Sequence, residues 1–231
     1  NEGTDAVSDP NYIFQMAEVF EEVYSFYIDT LNFSAPVSDP ASDDILYDVF
    51  VENLPTYYFG ITYTKNTSVS SPACVSYIKM RNNYNGSQFS EHTELENVQV
   101  TAVHEFFHAI QFSYNCYERF WFMEATAVWS EDELYNNVND HYRYISSWFS
   151  NINKSLDDES SHMYGSFIFF QYIDEHLGGP NTIRLCWEKS HELASPIQDN
   201  SLESINSALN DLGSSFEETY LRMRIANKIM N

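Results

Sequence analysis

An α+β fold is predicted for this chain by three observations: an amphipathic helical pattern near the N-terminus, alternating apolar runs between residues 45 and 80, and a succession of helical periods from about residue 95 onward. Residues 1–9 are polar and aperiodic, and are expected to be flexible. Asp9-Pro10 then opens a stretch in which Ile13, Met16, Val19, Phe20, Val23, Tyr24, Tyr27 and Leu31 recur at helical spacing. A Pro, Ser and Asp cluster over 35–44 ends it. Next, Ile45, Tyr47, Val49 and Val51 alternate with Leu46, Asp48, Phe50 and Glu52, which reads as a strand, and two more strands are expected over 57–63 and 74–80. Helices are then expected over 95–115, 119–135, 140–150, 161–177, 181–192, 201–212 and 215–229. Gly178-Gly179-Pro180 supplies a helix stop and restart, and Ser214 with Glu217 supplies a capping box. No internal repeat or long linker intervenes. The expectation is one domain over 1–231, with a helix and small sheet over 10–94 and a helical half over 95–231.

The composition narrows the function classes. Of 231 residues, 43% are hydrophobic, and 17 Tyr and 17 Phe supply ample apolar surface for a core, which argues against global disorder. Eleven Lys and Arg stand against 34 Asp and Glu, a net charge of −23, so phosphate backbones and anionic membrane faces are repelled and no nucleic-acid partner is expected. Such a surface suits an extracellular or salty medium and carries a general bias against acidic substrates. The most apolar run, Phe167 to Tyr172, already contains Gln171, so no membrane insertion is expected. The chain starts at Asn1 without a charged and then apolar leader, which predicts that any export signal has been removed or is missing from this sequence. Cys74, Cys116 and Cys186 allow one disulfide and one free thiol, without fixing the pairing. Asn32, Asn66, Asn85 and Asn153 fit the glycosylation acceptor pattern.

The chemistry concentrates in Thr101-Ala102-Val103-His104-Glu105-Phe106-Phe107-His108-Ala109-Ile110, an H-E-x-x-H inside a run with no charge except Glu105. Two His four residues apart share a helix face and can give two imidazole nitrogens to one zinc ion. Glu105 projects beside them, where its carboxylate can take a proton from a water activated by the ion. A catalytic zinc site needs a third protein ligand and an open position. Glu124 is the candidate, as the only charge between Phe120 and Trp129, because a lone carboxylate on an apolar helix is costly unless it is paired or binds a metal. Glu118, Glu131 and Asp132 lie in polar surroundings and read as solvated or supporting groups.

With these residues in place, the sequence resembles the gluzincins, the thermolysin-like zinc peptidases that carry H-E-x-x-H on one helix and a Glu ligand on the next. It is closest to a family of largely uncharacterised secreted bacterial metalloproteases. The likeness runs through Leu31-Asn32-Phe33, Tyr47-Asp48-Val49-Phe50, Tyr58-Phe59-Gly60-Ile61-Thr62, Val100 to Gln111, Trp121 to Ala127 and Tyr164-Gly165-Ser166-Phe167. The resemblance implies a zinc endopeptidase with His104, His108 and Glu124 as ligands, Glu105 as general base, a protein or peptide substrate, and a secreted or extracytoplasmic location. Two departures matter. Only residues 109–123 separate the second His from Glu124, a tighter connection than in thermolysin-like enzymes. The Asp that in those enzymes follows the third ligand by four residues and orients a zinc-bound His is replaced by Val128, so Glu131 or Asp132 is expected to take that role.

Such enzymes also supply a Tyr or His to the oxyanion from a helix beyond the third ligand. Tyr164 is the first candidate, as a neutral donor at pH 7, with Gly165 expected to let its helix approach the metal helices and His162 as the alternative donor. Two other readings carry different signatures. Glu105, Glu159 and Glu188 each precede a His by three residues, the E-x-x-H spacing of di-iron bundles. A non-catalytic binding module on the same scaffold would keep the motif without hydrolysis. Asp157, Asp158 and Glu159, or Asn136, Asn139 and Asp140, are conceivable calcium ligands, but no EF-hand spacing supports them.

Overall fold

A computed structural model of the chain describes residues 3–40, 46–66 and 72–230. Helix α1, Pro10–Tyr24, starts where the sequence predicts, with the Asp9 side chain accepting from the Asn11 N–H at 2.9 Å and Pro10 in the first turn. It buries Tyr12, Met16, Val19 and Val23, then widens into a π turn over Ser25–Thr30 that ends before Asn32, at φ 58°. That turn keeps Tyr27 fully buried, its hydroxyl donating to the Ser130 carbonyl at 2.6 Å.

Three strands form one sheet in the order β1-β3-β2: β1, Val49–Glu52, runs parallel to β3, Val75–Arg81, and β2, Gly60–Asn66, runs antiparallel to it. The fold is therefore α+β. Two strands differ from their predicted limits. The first starts at Val49 rather than 45; Ile45 lies outside the described residues, the Asp48 carbonyl still accepts from the Ile78 N–H at 3.0 Å, and at the start of β3 Val37 bridges Val75, the place residue 46 would need to extend the ladder. The second starts at Gly60 rather than 57. Buried Arg81 collects the carbonyls of Leu54, Pro55 and Tyr58 at 2.8–2.9 Å, and a segment whose carbonyls turn to a side chain cannot also pair in the sheet.

The inner face of β3, with Ile78 and Met80 at 0% exposure, packs on α2, Glu94–Tyr114. This helix begins with a capping box that the sequence reading did not single out. Thr93 Oγ1 accepts from the Glu96 N–H at 3.2 Å, and Glu96 Oε2 accepts from the Thr93 N–H at 2.8 Å. Around α2 close α1, the sheet, and α3, Phe120–Tyr135, so that residues 100–111 are apolar on nearly every side because nearly every side is covered. Phe107 meets Tyr27, Phe33 and Trp129 edge-on at 5.4–5.8 Å.

Beyond α3 follow α4, Tyr142–Ser150; α5, His162–Gly165; α6, Phe167–His176; α7, Pro180–Glu192; α8, Ser201–Asp211; and α9, Phe216–Met230. The helix expected over 161–177 is broken at Ser166, whose hydroxyl donates to the Leu156 carbonyl at 2.9 Å. The last helix is capped one residue later than expected: Ser215 Oγ, not Ser214, accepts from the Glu218 N–H at 3.2 Å. Gly178 and Gly179 do adopt positive φ between α6 and α7.

Cys74 pairs with Cys116, tying the start of β3 to the turn between α2 and α3, while Cys186 is free and buried. The Cys74 N–H also donates to Phe112 O, and the Cys116 N–H to Pro72 O. Of the glycosylation acceptors, Asn32, Asn85 and Asn153 are exposed, and the side chain of Asn66 lies outside the described residues. Among the described residues no helix is long and apolar enough to cross a membrane.

Candidate metal centre

α2 and α3 meet with His104, His108 and Glu124 facing one another, and one ligating atom from each lies within 4.8 Å of the others. Among the described residues this is the only such group. Glu124 Oε2 is 3.2 Å from His104 Nε2 and 3.8 Å from His108 Nε2. The imidazole rings stand nearly perpendicular, 4.8 Å apart, as neighbours one helical turn apart should. Each side chain is partly open, 12–17% exposed, so the cluster is reachable from solvent.

The far nitrogens of both imidazoles are held. His104 Nδ1 lies 2.7 Å from Glu131 Oε1, and His108 Nδ1 donates to Gln111 Oε1 at 2.8 Å. The Gln111 amide is itself fixed, because its Nε2 donates to Met123 O and Thr126 Oγ1 at 2.8 and 3.0 Å. With each Nδ1–H spent on an acceptor, the Nε2 atoms face Glu124, the arrangement two neutral imidazoles need to share one cation. Glu131 is therefore placed against His104 as expected of the group that would orient it, seven residues and two turns after Glu124 on the same face of α3. Asp132 does not, since it lies 3.5 Å from His141 instead. The sequence reading gives Gln111 no role. Its signal was local: three residues after His108, it sits on the same helix face.

The electrostatics describe a proton held where a cation would sit. Burial works against charge on His104, but hydrogen bonds to Glu124 and Glu131 outweigh it and raise the imidazole well above its ordinary pKa. Burial pushes the Glu131 carboxyl up to about 7, against the pull of His104. Burial also acts upward on Glu124, yet the two imidazoles hold it below the usual carboxylate range. A divalent ion entering this site has to displace that proton, which makes its affinity pH-dependent.

Glu105 lies one residue from His104 but is placed by the sheet. Thr62 Oγ1 lies 2.7 Å from Glu105 Oε2 and 2.8 Å from Glu105 O, within hydrogen-bond distance of both. Gly60, at the start of β2, lets that strand lie against α2: a Cβ there would come within 2.8 Å of both Glu105 Cγ and Thr101 Cγ2. His104, Glu105, Glu131, Tyr144 and Tyr164 all line one cleft of about 240 Å³ between β2, α2 and α4. The Tyr164 phenol is pushed up to about 12, by burial first and then by Glu124 and Glu105, so it stays protonated at neutral pH. Tyr164 stacks on Tyr144 at 5.2 Å.

Other expectations separate from the site. His162 is 2% exposed and stacked on Trp148 at 4.7 Å, with neither ring nitrogen hydrogen-bonded among the described residues, so it belongs to the core and not to the cleft. Gly165 makes room for α4 rather than for the metal helices, since its Cβ would meet Trp148 Cβ at 3.1 Å. The di-iron spacing dissolves in three dimensions. Glu159 pairs with Arg119, Glu188 with Arg184, and His191 Nδ1 with the Tyr114 carbonyl. The two calcium candidates are likewise spent on partners: Asp158 and Asp157 on Ser160 and Ser155, Asp140 on His92 and Arg143.

Neither a curated protein nor a solved structure matches the chain. Residues 3–211 match a family of unknown function, DUF6055, and a match over that much of the sequence makes this chain a member of it.

Proposed function

We propose that this protein is a zinc-dependent peptidase of the gluzincin type, with His104, His108 and Glu124 as metal ligands and Glu105 as general base. The observation that carries the reading is the convergence of two imidazole nitrogens and one carboxylate oxygen within 4.8 Å, each imidazole anchored through its other nitrogen. A donor set of two N and one O with solvent access is the pattern of a catalytic zinc with an open position. When bound, such an ion polarises a carbonyl and makes water nucleophilic at neutral pH.

The protein's own groups divide the rest of the work. Glu105 Oε2 is held by the Thr62 hydroxyl, so the carboxylate is fixed toward β2, with its other oxygen to accept a proton and later deliver it to the leaving amine. Tyr164, protonated and in the same cleft, is the donor for the oxyanion. β2 and its Tyr57-Tyr58-Phe59 approach form one wall, and α4 the other, enclosing a groove that suits an extended polypeptide. The Cys74–Cys116 disulfide supports a site of action outside the cytosol.

The test is metal analysis coupled to hydrolysis. Purified protein should carry one zinc per chain, lose it on His108→Ala, and cleave a peptide library only with metal present. Stoichiometric metal without cleavage of any peptide would favour a binding module, and two irons per chain would overturn the ligand set.

A further inference from the structure

Among the described residues Arg143 is the one Arg or Lys that lines the cleft, beside His104 and among lining residues that otherwise include Glu105, Glu131 and Asp140. It stands in the first turn of α4, and its guanidinium lies over two rings, 5.2 Å from the Phe59 centroid and 5.3 Å from that of Tyr144. Contact with two aromatic faces restrains the group. One edge is anchored. Nη2 bonds to Asp140 Oδ2, and Asp140, whose side chain is 3% exposed, has its other oxygen 3.0 Å from His92 Nε2. The remaining guanidinium nitrogens have no hydrogen-bond acceptor among the described residues, while the side chain is 33% exposed.

A cation serving only to neutralise Asp140 would be expected to turn both edges inward or to lie in open solvent. Here the group is immobilised by two aromatic faces and one buried carboxylate, and its free donors stay accessible in the cleft that holds His104 and Glu105. Asp140 is already committed to Arg143 with His92, and Glu131 through Oε1 to His104, its Oε2 being shut away from solvent without a hydrogen-bond partner among the described residues. The solvent-accessible cation left to meet a ligand in the cleft is thus an arginine fork, and its complement is a planar anion.

Resting on the peptidase reading, we propose that Arg143 determines specificity by receiving a carboxylate of the substrate, so that the peptide bond cut is one with a carboxylate close to it. The net charge of −23 disfavours acidic polypeptides at a distance, but Arg143 reverses that preference locally. Two groups on a peptide carry this chemistry: the C-terminal α-carboxylate and the side chain of Asp or Glu.

The experiment compares kcat/KM for a set of fluorogenic peptides that differ in one charge. One pair has a free or an amidated C-terminus, the other has Glu or Gln near the scissile bond. At least tenfold loss is expected on neutralising one of the two positions in the parent protein, and which pair responds identifies the source of the carboxylate. Arg143→Gln should bring that ratio close to one, and Arg143→Lys should restore part of it. Equal rates for both pairs in the parent overturn the proposal, as does an Arg143→Gln protein that lowers all rates while keeping the ratio. Binding of the same peptides to metal-free protein, followed by calorimetry, separates the two levels. Carboxylate-dependent binding without hydrolysis in any condition rejects the peptidase reading and keeps the role of Arg143, whereas hydrolysis without charge preference does the reverse.

Discussion

His104 Nδ1 lies 2.7 Å from Glu131 Oε1, so the imidazole that faces Glu124 through one nitrogen is gripped through the other by a carboxylate two turns further along the same helix. α3 thus contributes both a candidate ligand and the group that aims the ligand from α2. A supporting carboxylate of this kind typically governs metal affinity 10–100-fold. Glu131→Ala should weaken zinc binding by about that factor in a competitive chelator titration, and Glu131→Gln, which can still accept from the Nδ1–H, by less.

Glu105→Gln is expected to keep the metal and the fold and to lose hydrolysis by about 10²–10⁴, the usual worth of a positioned base. Gln retains the shape that Thr62 holds and removes only the proton acceptor. Metal content and peptide turnover measured on one preparation check both halves. Turnover equal to the parent would exclude Glu105 as the base.

Tyr164→Phe should lower kcat by about 10²–10³ with little change in KM, as loss of one oxyanion donor does. The substitution leaves the ring stacked on Tyr144 and removes only the hydroxyl. A parallel fall in substrate affinity instead would make Tyr164 a wall of the cleft rather than a donor.

Between α3 and α6, the Glu133 carboxyl is pushed up to about 8, by burial first and then by the neighbouring Asp174. The fold therefore holds this proton more tightly than the unfolded chain, where the ordinary value of 4.5 applies. Unfolding releases it in that window, so the contribution is fully present below about pH 4.5 and is lost as pH rises through about 8. Thermal unfolding of parent and Glu133→Gln protein should coincide near pH 5 and separate by a few degrees near pH 9, with the variant the more stable. An unchanged difference across this range would show that the fold does not raise the Glu133 pKa.

How far the sequence reached follows from the range of each interaction. The α+β class, the positions of α2 and α3, and the shared face of His104 and His108 were legible because a helix repeats every 3.6 residues whatever surrounds it. Glu124 was legible for a related reason, as a solitary charge in a segment whose apolar character announced burial. Gln111 and Glu131 lay within the same logic, one turn after His108 and two after Glu124, and only the second was named as a candidate. Tertiary structure decided the rest. The strand limits moved because Arg81 drew the carbonyls of Leu54, Pro55 and Tyr58 away from the sheet and Val37 took the place beside Val75 that alternation alone had given to residue 46. Cys74 chose Cys116 because β3 begins beside the α2–α3 turn. His162 went to the core against Trp148 while Tyr164, two residues on, entered the cleft, a choice that composition and spacing do not contain. Arg143 became a cleft residue through Phe59 and Asp140. A helix face is set by the local backbone, but a cleft is set by which surfaces of the chain pack together, and that is fixed only when the whole core is buried at once.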